Sequence, residues 1–364
     1  MGNGHPGLVH CKAGEPSFAR GRACPVRRKS EQDMMRRSTI LLAVLAILLV
    51  GPAVARADAI DDLVAQVGQT TYQGYLQGSL FTANSDDRGF DTSGTNRYPR
   101  ADHDPARDNV LAHFTALGLS ATLDPFTFST GGANYLGCNN VVGVLTGTVR
   151  PNDIYIVGAH YDSVNNPGAD DNASGVAGVM EAARVLSQYE FEATILFAAF
   201  DAEEKGLYGS AHYAGAHSGD SILGMISLDM IAYNPASNHD KAYVYGKTAS
   251  DPIKQDLADA LTAYTGITPT IGGDMPGSDH APFEDEGFDA CLLIEYNWSP
   301  NPNYHRSTDS IDTSGYLDYA FATEMTRGAV GYLATAAGLV PEPATLALLG
   351  AGALVMLVRR QRRT

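Results

Sequence analysis

Four short segments of this chain gather carboxylates and imidazoles at positions where they could work together. Ile154 to Ala159 (IYIVGA) runs into His160-Tyr161-Asp162, Ala193 to Phe200 (ATILFAAF) into Asp201-Ala202-Glu203-Glu204, and Ile222 to Leu228 (ILGMISL) into Asp229. A fourth group, Gly168-Ala169-Asp170-Asp171-Asn172, stands just ahead of Ala173. Taken singly, each has an ordinary explanation, because Asp and Asn cap helices and acids populate loop tips. Brought to one edge, four such groups would repel one another unless cations neutralise them. Carboxylate oxygens with neutral imidazole nitrogens are the donor set of zinc and similar divalent ions, and two metals sharing a bridging carboxylate suit hydrolysis of an amide. A serine hydrolase is disfavoured, since no GxSxG occurs.

The elements that must position these residues are legible as alternating strands and helices. IYIVGA, ATILFAAF, ILGMISL and Cys291 to Tyr296 (CLLIEY) are short, nearly continuous apolar runs, the pattern of strands buried on both faces. Between them, Ala173 to Tyr189 and Leu207 to His217 carry apolar residues at helical spacing. This predicts an α/β fold with a mixed, largely parallel central sheet flanked by helices on both faces, in a single domain. Ligands of such sheets sit beyond the carboxyl ends of the strands, which is where all three strand-end acidic groups fall.

Composition narrows the class and divides the chain. Of 364 residues 44% are hydrophobic and 18% charged, which excludes a disordered chain, and the net charge of −16 argues against a nucleic-acid partner. The charge is segregated: residues 1–57 carry +6, residues 341–364 carry +3, and 58–340 carry −25. From Met34 or Met35, where translation is expected to start, two arginines, an apolar run from Ile40 to Val50 and small residues ending Ala55-Arg56-Ala57 have the layout of a secretory signal peptide cleaved after Ala57. Residues 1–57 therefore read as an upstream extension plus signal (about 34–57), and 58–340 as the catalytic body. At the other end, Pro341-Glu342-Pro343, an apolar stretch from Ala344 to Val358 and the cluster Arg359, Arg360, Arg362 and Arg363 resemble the PEP-CTERM sorting signal of Gram-negative bacteria. The resemblance implies export across the inner membrane, transient anchoring by a short transmembrane stretch, and removal of the tail by an exosortase-type enzyme, leaving the body at the cell surface or outside the cell. A plain tail anchor is the competing reading. Cys11 and Cys24 fall in the discarded segment, while Cys138 and Cys291 could pair in an oxidising compartment or remain as buried thiols.

Within the body, GAHYDS at 158–163, PGADDNASG at 167–175, FDAEEKGLYGS at 200–210, SLDM at 227–230, GSDHAPF at 277–283 and YHRSTDS at 304–310 resemble, in order and spacing, the bacterial di-zinc leucyl aminopeptidase family of the aminopeptidase Y type. The resemblance implies a zinc-dependent peptidase domain of three αβα layers acting on peptides with a free N-terminus. It implies His160 and Asp229 on one zinc, Glu204 and His305 on the other, and Asp171 bridging as the acid three positions before the Ser-Gly pair. Asp162 is implied as the acceptor for the other ring N–H of His160, Glu203 as the general base for the attacking water, and Tyr304 as a donor to the oxyanion. Asp279-His280 matches a family loop but is given no ligand role. His103, His113, His212, His217 and His239 show no partnering pattern and are expected at the surface or in packing. Residues 231–285 and 296–303 are expected to form much of the substrate pocket.

Three other readings share the scaffold. A glutaminyl cyclase would use one zinc, but that family usually has Trp where Tyr304 stands. A carboxypeptidase of the glutamate carboxypeptidase type would bring further domains. A catalytically dead binding module is disfavoured by the presence of all five ligand candidates and Glu203.

Overall fold

A computed structural model describes Met35, Arg56 and residues 59–340. Apart from Met35 and Arg56, the expected signal peptide lies outside the described residues, as does the expected transmembrane stretch of the sorting segment. Among the described residues no helix is long and apolar enough to cross a membrane.

The elements in chain order are α1 (Gln69–Gly78), β1 (Asn96–Arg97), α2 (His103–Ala116), β2 (Ser120–Thr130), β3 (Ala133–Leu145), β4 (Arg150–His160), α3 (Ala173–Leu186), β5 (Ala193–Phe200), α4 (Tyr208–Ala216), β6 (Ser221–Asp229), β7 (Lys241–Tyr245), α5 (Asp251–Tyr264), β8 (Thr268–Ile271), α6 (His280–Asp285), β9 (Ala290–Glu295) and α7 (Tyr319–Ala336). The strands form one nine-stranded sheet in the order β1-β3-β5-β4-β6-β9-β7-β8, with β2 also paired to β3. Its centre, β5-β4-β6-β9, is parallel throughout. The antiparallel pairings lie outward of it, β3 with β2 and β5 on one side and β7 with β9 on the other. The fold is thus the mixed α/β layering that the alternation of apolar runs implied.

Two apolar cores lie on the two faces. The larger joins side chains of α1, α2, α3, α5 and α7 to the sheet, and the smaller joins Tyr213 and Ala214 of α4 and Phe283 of α6 to the opposite face. Burial on both sides explains why β5 is apolar along its whole length, with all eight residues buried. The helix α3 is the innermost, and its sequence ASGVAGVMEAARVL is dominated by small residues. A Cβ on Gly175 would meet the carbonyl oxygen of Leu228 at 2.3 Å, so this glycine permits the N-terminus of α3 to touch the end of β6. Cys138 and Cys291, on β3 and β9, are both buried free thiols.

Candidate metal centre

The adjacent parallel strands β5, β4 and β6 deliver the site at their carboxyl ends. His160 is the last residue of β4, Asp229 is the last of β6, and Glu203 and Glu204 occupy a 3₁₀ turn that follows β5. Asp171 precedes α3, and the side chain of its neighbour Asn172 performs two tasks. It accepts from the Gly175 amide at 3.0 Å, capping the helix, and it donates to the Leu228 carbonyl at 2.8 Å. That pair of bonds fixes Asp171 beside Asp229. His305 arrives from the loop between β9 and α7.

The resulting distances are short for so many ionisable groups. His160 Nε2 lies 3.3 Å from Asp171 Oδ1, 3.7 Å from Asp229 Oδ1 and 3.8 Å from Glu203 Oε2. His305 Nε2 lies 3.1 Å from Asp171 Oδ2 and 3.3 Å from Glu204 Oε2. Two sets of side chains are spaced to share an ion, His160 with Glu203 and Asp229, and Asp171 with Glu204 and His305. Asp171 joins them, with one carboxylate oxygen toward each histidine.

Burial makes this arrangement costly without a cation. His160, Asp171 and Asp229 are 1%, 4% and 5% exposed, and His160 Nε2, Asp171 Oδ2, Glu204 Oε1 and Asp229 Oδ1 are buried with no hydrogen-bond partner. Unpaired buried polar atoms of this kind cost several kcal/mol in total by general estimates of roughly 1–3 kcal/mol each. Desolvation and the neighbouring Asp171 raise the Glu204 carboxyl to about 7. Desolvation also raises Glu203, partly offset by the His160 charge. Desolvation would raise Asp171 too, but the adjacent imidazoles of His160 and His305 outweigh it and leave its carboxyl below the usual range. The adjacent Asp171 and Glu204 carboxylates raise His305 to about 10. Imidazole and carboxylate donors converging with orphaned atoms fit divalent ions of the zinc type.

Four backbone conformations around the site are unusual for residues with a Cβ. Ala202, Leu207, Met230 and His305 have φ of 58°, 61°, 50° and 56°; Ala202 and Leu207 bracket the Glu203-Glu204 turn, and Met230 follows Asp229. Such backbone strain concentrates where side chains must be aimed against local preference.

Other residues depart from the sequence expectation. His160 Nδ1 faces the carbonyl oxygen of Asp162 at 3.2 Å, while the Asp162 carboxylate lies 3.6 Å away. That carboxylate instead accepts from the amides of Glu203 at 3.0 Å and Glu204 at 3.3 Å, so it holds the turn that carries both acids. The five histidines expected at the surface or in packing all have polar partners, whereas both ring nitrogens of buried His280 are unpaired. His103 is fully buried and bonds Asp201 at 2.8 Å and Asp104 at 3.1 Å. His113 bonds the Met180 carbonyl, and His212, His217 and His239 sit beside Asp124, Asp220 and Asp240.

Sequence reading also missed groups that support the site. Ser278 donates to Asp229 Oδ2 at 2.7 Å. Buried Asp279 has both carboxylate oxygens unpaired, and desolvation raises it to about 7. The Asp309 carboxylate accepts from the amides of Asp170 at 2.7 Å and Asp171 at 3.1 Å. Ser278 and Asp279 fall in the quoted GSDHAPF segment and Asp309 in YHRSTDS, but the sequence reading gave none of them a role. Tyr304 stacks on the His305 ring with centroids 3.9 Å apart. It also closes a partly exposed apolar group with Tyr243, Tyr245, Met275 and Trp298, packed over buried Met230, Leu292 and Ile294.

Residues 140–330 match the model of peptidase family M28, and residues 339–363 match the PEP-CTERM protein-sorting motif. The chain belongs to peptidase family M28 and carries a PEP-CTERM motif at its C-terminal end. It is 33% identical over 189 residues to aminopeptidase YwaD of Bacillus subtilis, covering 48% of this chain and 40% of that protein. The chain spans about half the length of the curated relatives it matches. Among solved structures, Legionella pneumophila LapA aminopeptidase shares the fold with a TM-score of 0.62 at 21% identity, covering 77% of this chain and 75% of that one. Porphyromonas gingivalis glutaminyl cyclase shares it with a TM-score of 0.60 at 20% identity, covering 74% and 98%. The likeness to these two structures shows the fold alone.

Proposed function

We propose that this chain is a zinc-dependent aminopeptidase that hydrolyses the first peptide bond of peptides with a free N-terminus. Two ions would be held per chain, one by His160, Asp171 and Asp229 and the other by Asp171, Glu204 and His305. The observation that carries this reading is Asp171, whose two carboxylate oxygens lie 3.3 Å and 3.1 Å from imidazole nitrogens belonging to the two sets. When bound, such ions polarise a carbonyl and lower the pKa of water toward neutrality.

The protein's own groups supply the proton transfers. Glu203 takes the proton of the attacking water and delivers it to the leaving amine. Its side chain keeps 11% exposure, against 1% for His160, so it can meet substrate from the open side. Asp162 supports that role by holding the Glu203 and Glu204 amides, and its carbonyl, facing Nδ1, fixes the His160 tautomer. The Tyr304 hydroxyl donates to the oxyanion, its ring kept in place by the stack on His305. The aromatic group beside Tyr304 offers an apolar wall for the substrate side chain, and the acidic body attracts the terminal ammonium.

The sorting motif supports export across the inner membrane of a Gram-negative bacterium, brief retention by the C-terminal segment, and release to the surface or exterior by an exosortase-type enzyme. Metal content per chain, with cleavage of free and N-blocked aminoacyl substrates by wild type and Glu203→Gln, tests the catalytic reading. Expected are two zinc ions and activity confined to free N-termini. Cleavage of blocked substrates would overturn the aminopeptidase assignment. One ion per chain with cyclisation of N-terminal glutamine would replace it by a cyclase.

A further inference from the structure

Arg88 lies outside the span matched by the peptidase family, yet it is the largest of the fully buried side chains, with no exposed surface. A buried guanidinium usually faces a carboxylate. This one spends its hydrogen bonds on backbone carbonyls, with Nε donating to Tyr161 at 2.7 Å and Nη2 to Gly168 at 2.8 Å. Its Nη1 donates to Pro167 at 2.5 Å and, within its own segment, to Leu80 at 3.1 Å and Phe81 at 2.9 Å. The Arg88 amide adds a bond to Ser163 Oγ at 3.1 Å, and that hydroxyl donates to the Asn166 carbonyl at 2.8 Å.

The positions gripped are informative. Tyr161 follows His160, and Gly168 stands three residues before Asp171, so Arg88 holds both ends of the loop that joins one histidine of the metal centre to the bridging carboxylate. Asp309 grips the other side of the same stretch through the amides of Asp170 and Asp171. One charged group takes the loop's carbonyls and the other takes its amides. Packing at Gly168 is tight enough to make the arrangement specific, since a Cβ there would lie 2.5 Å from the Asp171 carbonyl oxygen and 3.0 Å from Arg88 Nη2.

We propose that Arg88 is a positioning residue for the metal centre, setting the separation of His160 and Asp171 by clamping the loop between them. The inference rests on reading the cluster as a metal site. Lysine retains the charge but concentrates it on one nitrogen, so it cannot span carbonyls at both ends of the loop.

Zinc titration of the metal-stripped full chain against a chromogenic chelator tests this, with thermal melting recorded alongside. Arg88→Lys is expected to raise the zinc dissociation constant about tenfold or more, the scale of loss when support behind a ligand is removed, and Arg88→Gln further. Val110→Ala, which opens a cavity at α2 in the main core and removes no hydrogen bond to this loop, should melt earlier with its zinc affinity unchanged. Affinity for Arg88→Lys equal to wild type, or an equal loss in Val110→Ala, overturns the inference. If neither Arg88 variant folds, Ser163→Ala carries the test, with a smaller loss supporting the clamp and no change overturning it. Wild type that binds no zinc refutes the metal reading itself, a result distinct from failure of the clamp.

Discussion

Glu203 and Glu204 are sequence neighbours whose surroundings divide their work. Glu204 Oε2 lies 3.3 Å from His305 Nε2, whereas Glu203 Oε2 stands 3.8 Å from His160 and remains partly open. Glu203→Gln is therefore expected to lower kcat by about 10²–10⁴-fold while zinc content stays at wild-type level, checked by steady-state kinetics and metal analysis on the same preparation. On the proposed role of the Tyr304 hydroxyl, Tyr304→Phe would remove one donor to the oxyanion while keeping the ring that stacks on His305. It should lower kcat by roughly 10²-fold or more with little change in KM, and an effect confined to KM would move Tyr304 from catalysis to binding. His160, Asp171, Glu204 and Asp229 were legible because they follow apolar strands or precede a helix, so type and position coincide, whereas His305, in the loop between β9 and α7, was legible only through the resemblance of YHRSTDS. Arg88, His103 and Asp309 were not, because their partners are backbone groups or acids 98 residues away in the case of His103 and Asp201, and no spacing rule links them.

At the scale of elements, His103 ties the first turn of α2 to the end of β5. Burial alone would lower its pKa, but the facing Asp201 and Asp104 outweigh this and raise it to about 9, from an unperturbed 6.5. A histidine whose folded pKa exceeds its unfolded one stabilises the fold fully below the unfolded value and loses that contribution as pH rises through the folded value. Wild type should thus exceed His103→Gln by on the order of 3 kcal/mol at pH 6, with the gap closing between pH 6.5 and 9 in urea unfolding at fixed zinc. A gap independent of pH would show that the ring contributes packing alone. The central strands and α3 could be read from sequence because continuous apolar runs mark burial on both faces. The hairpin β2–β3 and the long helices α5 and α7 could not. Most of β2 is exposed or half-buried, which removes the apolar run. Gly328 and Gly331 weaken the helical signal of α7. They are required there, since a Cβ would meet Leu261 or Tyr264 of α5 at 2.3 Å.

For the whole molecule, the net charge of −16 conceals an acidic body of −25 between two basic ends. Part of that acidity is concentrated at one sheet edge, where bound cations would offset it and burial would make their removal expensive. Stripping zinc with a chelator should lower the melting temperature, and restoring zinc should return it, with stabilisation growing with free zinc as mass action requires. Insensitivity of the melting temperature to chelator would mean that the folded body does not hold zinc at functional concentrations. The most direct test of the account is anomalous diffraction at the zinc edge from crystals of the zinc-loaded protein. Two peaks per chain are expected, one within bonding distance of His160, Asp171 and Asp229 and the other of Asp171, Glu204 and His305. No peak at the cluster, or an ion held by Glu203 in place of Asp171, would contradict it.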